Sequence, residues 1–411
     1  MSNTPSLDLP DLTTPPPTSP TYKLEPTAYP QAKEILSNAL LDLRTDHISG
    51  AKELATKAVG SLVRIAQSIG NTLVEEIRAG ERRGGERHGS SLSPVERWWE
   101  ACRKAGWILA TYGRPSMNAA ITRAVVRGLE RAEGVMRHGD GEGAISNGIE
   151  RMWNYLRERE ESDPRRGIAG GLREFLYEKG AIELEGTVRV VRVLTLSNSS
   201  TIRGALRGVL EMESTERRGG GGLMIQLRIM ESRPLCEGVG LARDLVQSAK
   251  AIEARDRLHI EIASDASVGI LAEDVDVVLL GADRISDSGD VSNKTGSLSA
   301  ALCAKAVSDK VSVVVLSDID KISRPGAMEE HKEEDNDARE LEDAWGQQLA
   351  SSINAEVWRA KVETRNVYFE WVPARYIDRY ICETGVLDLN GIKEQSHQAL
   401  DAERRLFGGF G

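Results

Sequence analysis

The length of 411 residues suggests two domains or one domain with a large appendage. Of these residues 28% are charged, and the formal net charge of −10 at pH 7 argues against direct binding of nucleic acid. The chain shows neither a secretory signal pattern nor an apolar run near the roughly 20 residues that cross a bilayer, so no membrane partner is predicted. The four cysteines form no CxxC pair, so we expect no disulfide framework, metal or cofactor, and a reducing, cytoplasmic location.

The first 30 residues contain eight prolines and few bulky apolar side chains. Such a segment buries too little apolar surface to offset the entropy lost on ordering. Residues 1–30 are therefore predicted to form a disordered tail. A proline-rich ligand for another domain is the alternative interpretation.

Residues 31–165 are predicted to form a helical N-terminal domain. Runs such as AKELATKAVGSLVRIAQSI repeat apolar residues at three- and four-residue spacing, the pattern of amphipathic helices. A polar connection follows that run, and Ser91 or Ser93 is then expected to cap the helix that carries Trp98.

Residues 166–411 alternate strand-like runs with helical segments. The strand-like runs are VRVVRVLTL (188–196), LMIQLRIME (223–231), LHIEIASD (258–265), VDVVLLGAD (275–283) and VSVVVLSD (311–318). This alternation is typical of a parallel sheet with crossover helices. The sequence thus predicts an α/β fold, in which a helical N-terminal domain precedes a Rossmann-like parallel-sheet domain.

An acidic segment interrupts the second domain. Nine of the fifteen residues from Glu329 to Asp343 are acidic. Charge runs of this kind usually form a solvated loop or helix face, and a binding surface for a basic partner is the alternative.

Polar residues follow each predicted strand, at the edge where open parallel sheets bind ligands. Ser197-Asn198-Ser199-Ser200 follow the first strand and could either cap the next helix or present N–H groups to an anion. Arg233 follows the second strand and could hold a phosphate. Asp265 and Asp283 follow the third and fourth strands, where a carboxyl group could act as a general acid or base.

Four stretches of this sequence carry a resemblance to a known family. GADRISDSGDVSNKTGS (281–297) resembles the signature shared by the alpha, beta and delta subunits of translation initiation factor 2B, methylthioribose-1-phosphate isomerase and ribose-1,5-bisphosphate isomerase. GRPSMNAAITRAV (113–125), ESRPLCEG (231–238) and NVYFEWVPARYIDRYICETG (366–385) are similar to three further motifs of that family. The resemblance extends from about residue 33 to residue 385.

This resemblance implies a homodimer with a sugar-phosphate site in the cleft between a helical and a Rossmann-like domain. The isomerases of the family convert an aldose 1-phosphate into a ketose 1-phosphate. By position, Asp283 matches their catalytic aspartate. Asn293 and Lys294 match substrate contacts, and Arg114 and Arg233 match arginines that line the site.

Two positions depart from the family pattern. Ser197 stands where the isomerases have a catalytic cysteine, and a hydroxyl ionises far less readily than a thiol with its reference pKa of ~8.5. Cys236, in a neighbouring loop, could replace that thiol. Ser49 stands where an arginine precedes the Gly-Ala pair of a phosphate loop, while Gly50 and Ala51 are retained.

Two functional hypotheses follow. In the first, this protein resembles initiation factor 2B, binds a ribose phosphate or a nucleotide between its domains, and acts through protein contacts with weak or absent isomerase chemistry. Its partners would then be a second copy or subunits of a translation-initiation complex. The alternative is an active aldose-ketose isomerase, with Asp283 and Ser197 as its catalytic residues. Whether the protein is an enzyme stays open at this stage.

Overall fold

The computed structural model describes residues 29–46, 49–82, 92–136, 141–183, 188–215, 222–326, 336–353 and 355–410. These residues form two compact units. The first contains the described residues up to Ser162 and those from His397 onward, and the second contains Asp163–Ser396. The sequence-based division placed the boundary after residue 165 and assigned the last residues to the second domain. The predicted tail lies outside the described residues, apart from its last two positions.

The first unit is helical, as predicted. Its helices are α1 (Pro30–Thr45), α2 (Ala51–Arg82), α3 (Pro94–Tyr112), α4 (Asn118–Met136) and α5 (Gly141–Glu161), joined by the end of a C-terminal helix (Leu389–Phe407). Ser93 caps α3: its side chain accepts a hydrogen bond from the Glu96 N–H, and the Glu96 side chain bonds the Ser93 N–H in return. Trp98 is fully buried and donates its ring N–H to the Ala66 carbonyl at 2.8 Å.

The second unit contains two sheets. The strands are β1 (Ala181–Glu183), β2 (Val188–Leu196), β3 (Gly222–Met230), β4 (Leu258–Ala263), β5 (Val277–Leu280), β6 (Arg284–Ile285), β7 (Val291–Lys294), β8 (Ser312–Leu316), β9 (Phe369–Val372), β10 (Arg379–Cys382) and β11 (Gly385–Leu387). The larger sheet has the order β11-β10-β8-β5-β2-β3-β4, with β1 also paired to β2. Its six strands from β10 to β4 are mutually parallel, and only β1 and β11 pair antiparallel.

Helices cover both faces of the larger sheet. They are α6 (Pro164–Lys179), α7 (Ser200–Thr215), α8 (Glu237–Ala251), α9 (Val268–Leu271) and α10 (Ser297–Val307). Later in the chain follow the short helices α11 (Ala338–Asp343), α12 (Gln347–Ser352) and α13 (Ala355–Arg359) and the C-terminal helix α14. Val191 and Val193 of β2 pack on the face of α6, α7 and α8, whereas Leu194 and Leu196 pack on the face of α9 and α10. Because both faces are buried, the strands read as nearly continuous aliphatic runs.

The stretch GADRISDSGDVSNKTGS is a hairpin and not only a loop. The strand before it ends at Leu280, earlier than the predicted end at residue 283. β6 and β7 then pair antiparallel, and β7 pairs antiparallel with β9 in a separate three-stranded sheet. The polar residues of the motif therefore lie on backbone that is hydrogen-bonded within this second sheet.

Gly238 provides a stability test of the packing between α8 and β3. A Cβ added there would lie 2.2 Å from the Met230 carbonyl oxygen, a main-chain atom that cannot rotate away. We expect Gly238→Ala to lower the free energy of unfolding by about 1–3 kcal/mol, as measured by urea denaturation. The control is Gly269→Ala in α9, where an added Cβ meets nothing within 4 Å and where alanine should stabilise by up to ~1 kcal/mol. Equal effects of the two substitutions would contradict this account.

Candidate functional site

The polar residues predicted from the strand ends follow neighbouring strands of one sheet. Ser197 follows β2, Ser232 and Arg233 follow β3, Asp265 follows β4, and Asp283 lies two residues beyond Gly281, which follows β5. These four strands are adjacent and parallel. Their carboxyl ends therefore share one edge, the usual ligand-binding edge of such sheets.

Ser197 lies in a left-handed turn directly after β2, with φ of 62°. Its N–H donates to the Ser232 hydroxyl oxygen at 2.7 Å, and that hydroxyl donates to the Met230 carbonyl at 3.2 Å. Both serines are buried. This short chain of hydrogen bonds joins the loops after β2 and β3 and holds Ser197 in its turn.

Glu237 is the residue that sequence reasoning missed. The Ser197 hydroxyl donates to Glu237 Oε2 at 3.0 Å, and Lys294 Nζ lies 3.2 Å from Glu237 Oε1. The carboxylate thus joins the serine that replaces the family cysteine to the lysine of the Asn-Lys pair. We refer to Ser197, Glu237 and Lys294 as the bridged cluster.

Lys294 is held from a second direction by aromatic rings. Its ammonium group lies 4.1 Å from the ring centre of Tyr368 and 5.2 Å from that of Phe369. A cation over an aromatic face is attracted to the ring electrons. The lysine therefore has a fixed position at the end of β7.

Asn293 is buried and lies close to the start of the Gly-Ala-Asp turn. Its amide donates to the Ser297 hydroxyl at 2.8 Å. A Cβ added at Gly281 would lie 3.2 Å from Asn293 Oδ1 and 3.0 Å from Ser199 Oγ. Glycine at this position thus allows three predicted segments to approach one another.

Asp283 is half-buried, and its backbone is fixed on both sides. Its N–H donates to the Ser292 carbonyl at 2.8 Å, across the hairpin. The preceding carbonyl, of Ala282, accepts a hydrogen bond at 2.5 Å from Nζ of the buried Lys321. The predicted catalytic aspartate therefore follows a turn whose main chain is rigidly bonded.

The side chains at the helix cap after β2 mainly form hydrogen bonds with other groups of the protein. Ser199 Oγ accepts from the Ile202 N–H at 3.3 Å, which is the capping interpretation of this stretch. Asn198 Oδ1 accepts from Arg203 at 3.1 Å, and Arg203 also pairs with Asp244 of α8 at 2.7 Å. These contacts join α7 to α8.

Arg233 is exposed and belongs to a loop clamped by Asp265. The N–H groups of Ser232 and Arg233 donate to the two carboxylate oxygens of Asp265, each at 2.8 Å. The guanidinium group donates to the Ala344 carbonyl. Within the described part of the chain this carbonyl is its only hydrogen-bond partner, and no carboxylate pairs with it.

Ala344 belongs to a segment between β8 and β9 that we call the β8–β9 excursion, residues 337–365. Hydrogen bonds join the two ends of the excursion. The Asn336 N–H donates to the Asn366 carbonyl at 3.0 Å, and Asn366 Nδ2 donates to the Asp337 carbonyl at 2.9 Å. Glu340 accepts a hydrogen bond from the Tyr368 hydroxyl. The excursion includes the end of the acidic segment, whose first part (329–335) lies outside the described residues.

The predicted phosphate residues of the first unit lie around Asp46. Arg114 Nη1 donates to the Asp46 carbonyl at 2.8 Å, and the Ser49 N–H donates to Asp46 Oδ1 at 2.8 Å. The Gly50 N–H donates to Glu53, and Ala51 begins α2. Lys57 lies 3.1 Å from Ser49 Oγ and pairs with Asp46, and the hydrogen bond to Asp46 raises the pKa of Lys57.

A second group of carboxyl groups follows β8 and β10. Glu383 accepts a hydrogen bond from the Ile319 N–H at 3.0 Å, and Asp318 Oδ1 is buried without a hydrogen-bond partner among the described residues. Burial raises the pKa of Glu383, and the carboxylates of Asp318 and Asp320 raise it further, against the lowering by backbone N–H groups. This strand end therefore favours a neutral Glu383.

Two structural features are absent from the described ranges. No described helix is long and apolar enough to cross a bilayer. The same residues contain no cluster of three or more His, Cys, Asp or Glu side chains that could hold a metal ion. The four cysteines are free, and Cys236, which precedes Glu237, places its sulfur 3.9 Å from the Pro234 carbonyl.

Comparisons with known proteins agree on one family. The sequence model of the Initiation factor 2 subunit family matches residues 47–389. Methylthioribose-1-phosphate isomerase from Synechococcus sp. is 32% identical over 168 residues, which are 40% of this chain and 44% of that protein. The chain spans about half the length of the curated relatives that it matches.

Solved structures with this fold include two functional types. The tetrameric eIF2B-beta2-delta2 complex from C. thermophilum matches with a TM-score of 0.56 at 12% identity, over 90% of this chain and 95% of that one. The 5-methylthioribose 1-phosphate isomerase from Pyrococcus horikoshii matches with a TM-score of 0.53 at 17% identity, over 89% and 87%. At these identities the likeness concerns the fold alone.

The raised pKa of Glu383 predicts a pH-dependent stability. Below the usual carboxyl pKa of ~4.3 the group is neutral in both the folded and the unfolded chain, and its full contribution to stability is present. That contribution is lost as the pH rises through the folded pKa, because the charge then becomes buried. Glu383→Gln should therefore have the higher melting temperature at pH 7, and the difference should vanish towards pH 4.

The control for this prediction is Glu363→Gln, which changes an exposed carboxyl group. Its melting temperature should follow that of the wild type throughout the titration. A Glu383→Gln variant that is less stable than the wild type at pH 7 would contradict the buried-charge account.

Proposed function

Because this chain belongs to the Initiation factor 2 subunit family, we propose that it binds a ribose phosphate or a nucleotide and regulates translation initiation through protein contacts. The observation that carries the proposal is the bridged cluster, in which Glu237 joins Ser197 to Lys294 at the ligand-binding edge. Isomerase chemistry is weak or absent in this proposal. Its partners are a second copy of the chain or other subunits of an initiation complex.

The charges at the sheet edge support binding of a phosphorylated sugar. Arg233 is exposed there, and its guanidinium group contacts only a main-chain carbonyl within the described residues. A guanidinium group without a carboxylate partner can bind a phosphate through two parallel hydrogen bonds. Asn293, Lys294 and Glu237 add polar groups that can bind the sugar.

The state of Ser197 supports weak chemistry. Its hydroxyl donates to Glu237, and its backbone is held in a left-handed turn by Ser232. A hydroxyl gives up its proton far less readily than the thiol at this position in the isomerases. Removing one proton-transfer group usually lowers a rate by ~10²–10⁴ while leaving much of the ground-state binding intact.

An active aldose-ketose isomerase is the second candidate, and the carboxylate beside Ser197 favours it. In such a reaction one proton leaves a sugar carbon and one is returned to its neighbour, so no redox cofactor is needed. Asp283 would transfer one proton, and Ser197, hydrogen-bonded to Glu237, would transfer the other. Relatives named methylthioribose-1-phosphate isomerase support the same reaction class.

Calorimetric titration of the full chain with ribose 5-phosphate, methylthioribose 1-phosphate and AMP tests the binding proposal. We expect at least one of these ligands to bind, and Lys294→Met to weaken its binding about tenfold or more, because a charged hydrogen bond is lost. The matched control is Lys310→Met, which removes an exposed lysine. No heat with any ligand would refute the proposal, and light scattering of the same sample tests the homodimer.

A turnover assay separates the two candidates. With methylthioribose 1-phosphate or ribose 1,5-bisphosphate, the proposal predicts little or no turnover by the wild type and a measurable gain in Ser197→Cys. That gain should disappear when Asp283→Asn is added, because the second proton-transfer group is then lost. Rapid turnover by the wild type that Asp283→Asn abolishes would establish the isomerase instead.

A further inference from the structure

We propose that the bridged cluster receives two neighbouring hydroxyl groups of the ligand, and that the phosphate binds away from it. This inference rests on the proposed function and deepens it, because it states which part of a ribose phosphate meets Glu237. The specificity-determining residue is Glu237 itself. It selects a ribose over a 2-deoxyribose.

Glu237 can accept further hydrogen bonds from a ligand. An ionised carboxylate accepts only, and its two oxygens together offer about four lone-pair sites. Ser197 uses one site on Oε2, and the Lys294 ammonium group forms an ion pair with Oε1 at 3.2 Å. Each oxygen therefore keeps room for one more donor, and a pair of adjacent hydroxyl groups supplies two donors at a matching spacing.

The charges of the bridged cluster disfavour a phosphate at this position. Glu237 neutralises Lys294 across 3.2 Å, so the pair presents little net positive charge to an incoming anion. A phosphate at this position would face the carboxylate oxygens and would repel them. The guanidinium group of Arg233 contacts no carboxylate among the described residues, and it is the better phosphate partner at this edge.

The bridged cluster is both accessible and rigid. The side chains of Lys294 and Glu237 are 21% and 28% exposed, so solvent and ligands can reach them. Ser197 is buried below them and is bonded to Ser232, and Tyr368 lies against the ammonium group. Because these contacts fix the acceptor before the ligand arrives, little side-chain entropy is lost on binding.

A ligand without one hydroxyl would leave part of this acceptor without a donor. A bound ligand also removes water from Glu237, and an acceptor that has neither water nor a donor costs more than the hydrogen bond contributed, so sites of this kind reject the deoxy analogue strongly. For a hydrogen bond to a charged acceptor, we expect a preference of about tenfold to a hundredfold.

The test is calorimetric titration of the full chain with ribose 5-phosphate, 2-deoxyribose 5-phosphate and inorganic phosphate. The wild type should bind ribose 5-phosphate at least tenfold more tightly than the deoxy sugar. In Glu237→Gln that preference should fall below about threefold, because the amide has a single acceptor oxygen. The same variant should bind inorganic phosphate more tightly than the wild type, since Lys294 is no longer neutralised.

Two variants exclude a merely structural effect. Glu237→Asp keeps an acceptor-only carboxylate and should retain a preference for ribose 5-phosphate. Glu261→Gln removes a different carboxylate of the same sheet, which pairs with Arg228 at 3.5 Å, and should leave both affinities unchanged. Opposite changes for the sugar preference and for phosphate in Glu237→Gln cannot arise from loss of folding.

The outcomes separate the inference from the proposed function. Equal binding of the two sugar phosphates by the wild type would overturn the inference while leaving the binding function in place. If Glu237→Gln keeps the preference for ribose 5-phosphate, the inference is overturned as well, since another group must then recognise the hydroxyl. No binding of either sugar phosphate by the wild type would overturn the inference, and the proposed function would be refuted only if methylthioribose 1-phosphate and AMP also failed to bind.

Discussion

The parallel pairing of β2 with β3 is the constraint on which the candidate site depends. The two strands stay in register over their whole length, from Val188 opposite Gly222 to Leu196 opposite Met230. Because both strands end at the same level, the loops that follow them begin side by side. The Ser197 N–H therefore donates to the Ser232 hydroxyl. The position of α8, and with it Glu237, follows from the loop after β3.

The hairpin after β5 completes this arrangement from the other side. β7 carries Asn293 and Lys294 on backbone that is bonded to β6 and β9. Lys294 thereby reaches the Glu237 carboxylate, although the two residues belong to different sheets and lie far apart in the chain. The site thus combines the edge of a parallel sheet, which positions the loops, with a small antiparallel sheet, which positions the cation.

Much of the fold could be read from the sequence because burial leaves a periodic signal. β2, β3, β5 and β8 are covered on both faces, so their apolar runs stand out, and the Ser93 cap follows a known local pattern. The short strands β6 and β7 left no such signal, because β7 is stabilised by pairing with β9, a segment more than seventy residues later in the chain. Long-range pairing of short polar strands cannot be read from local periodicity.

The same limit applies to the site. The predicted residues after β2, β3 and β5 came from strand ends and from a family resemblance, but the contact of Glu237 with Ser197 joins two loops across the sheet edge. The approach of Lys57 to Ser49 likewise depends on how α2 is oriented against the loop before it. What the sequence did offer was Glu237 itself, within ESRPLCEG, as a charged residue at the first turn of a helix.

Hydrogen bonds hold the two ends of the β8–β9 excursion together, and this divides its residues into those that can vary in sequence and those that cannot. Since Asn336 and Asn366 hold the two ends together, a change of length inside the excursion alters mainly a local loop-closure entropy, which grows only slowly with length. Residues of the excursion that do not contact the sheet edge can therefore diverge, and new segments can be inserted there without moving the strands. Glu340 and Ala344 are different, because they contact Tyr368 and Arg233. The excursion can thus acquire partner-specific surfaces through its variable part while these two contacts keep it attached to the ligand-binding edge.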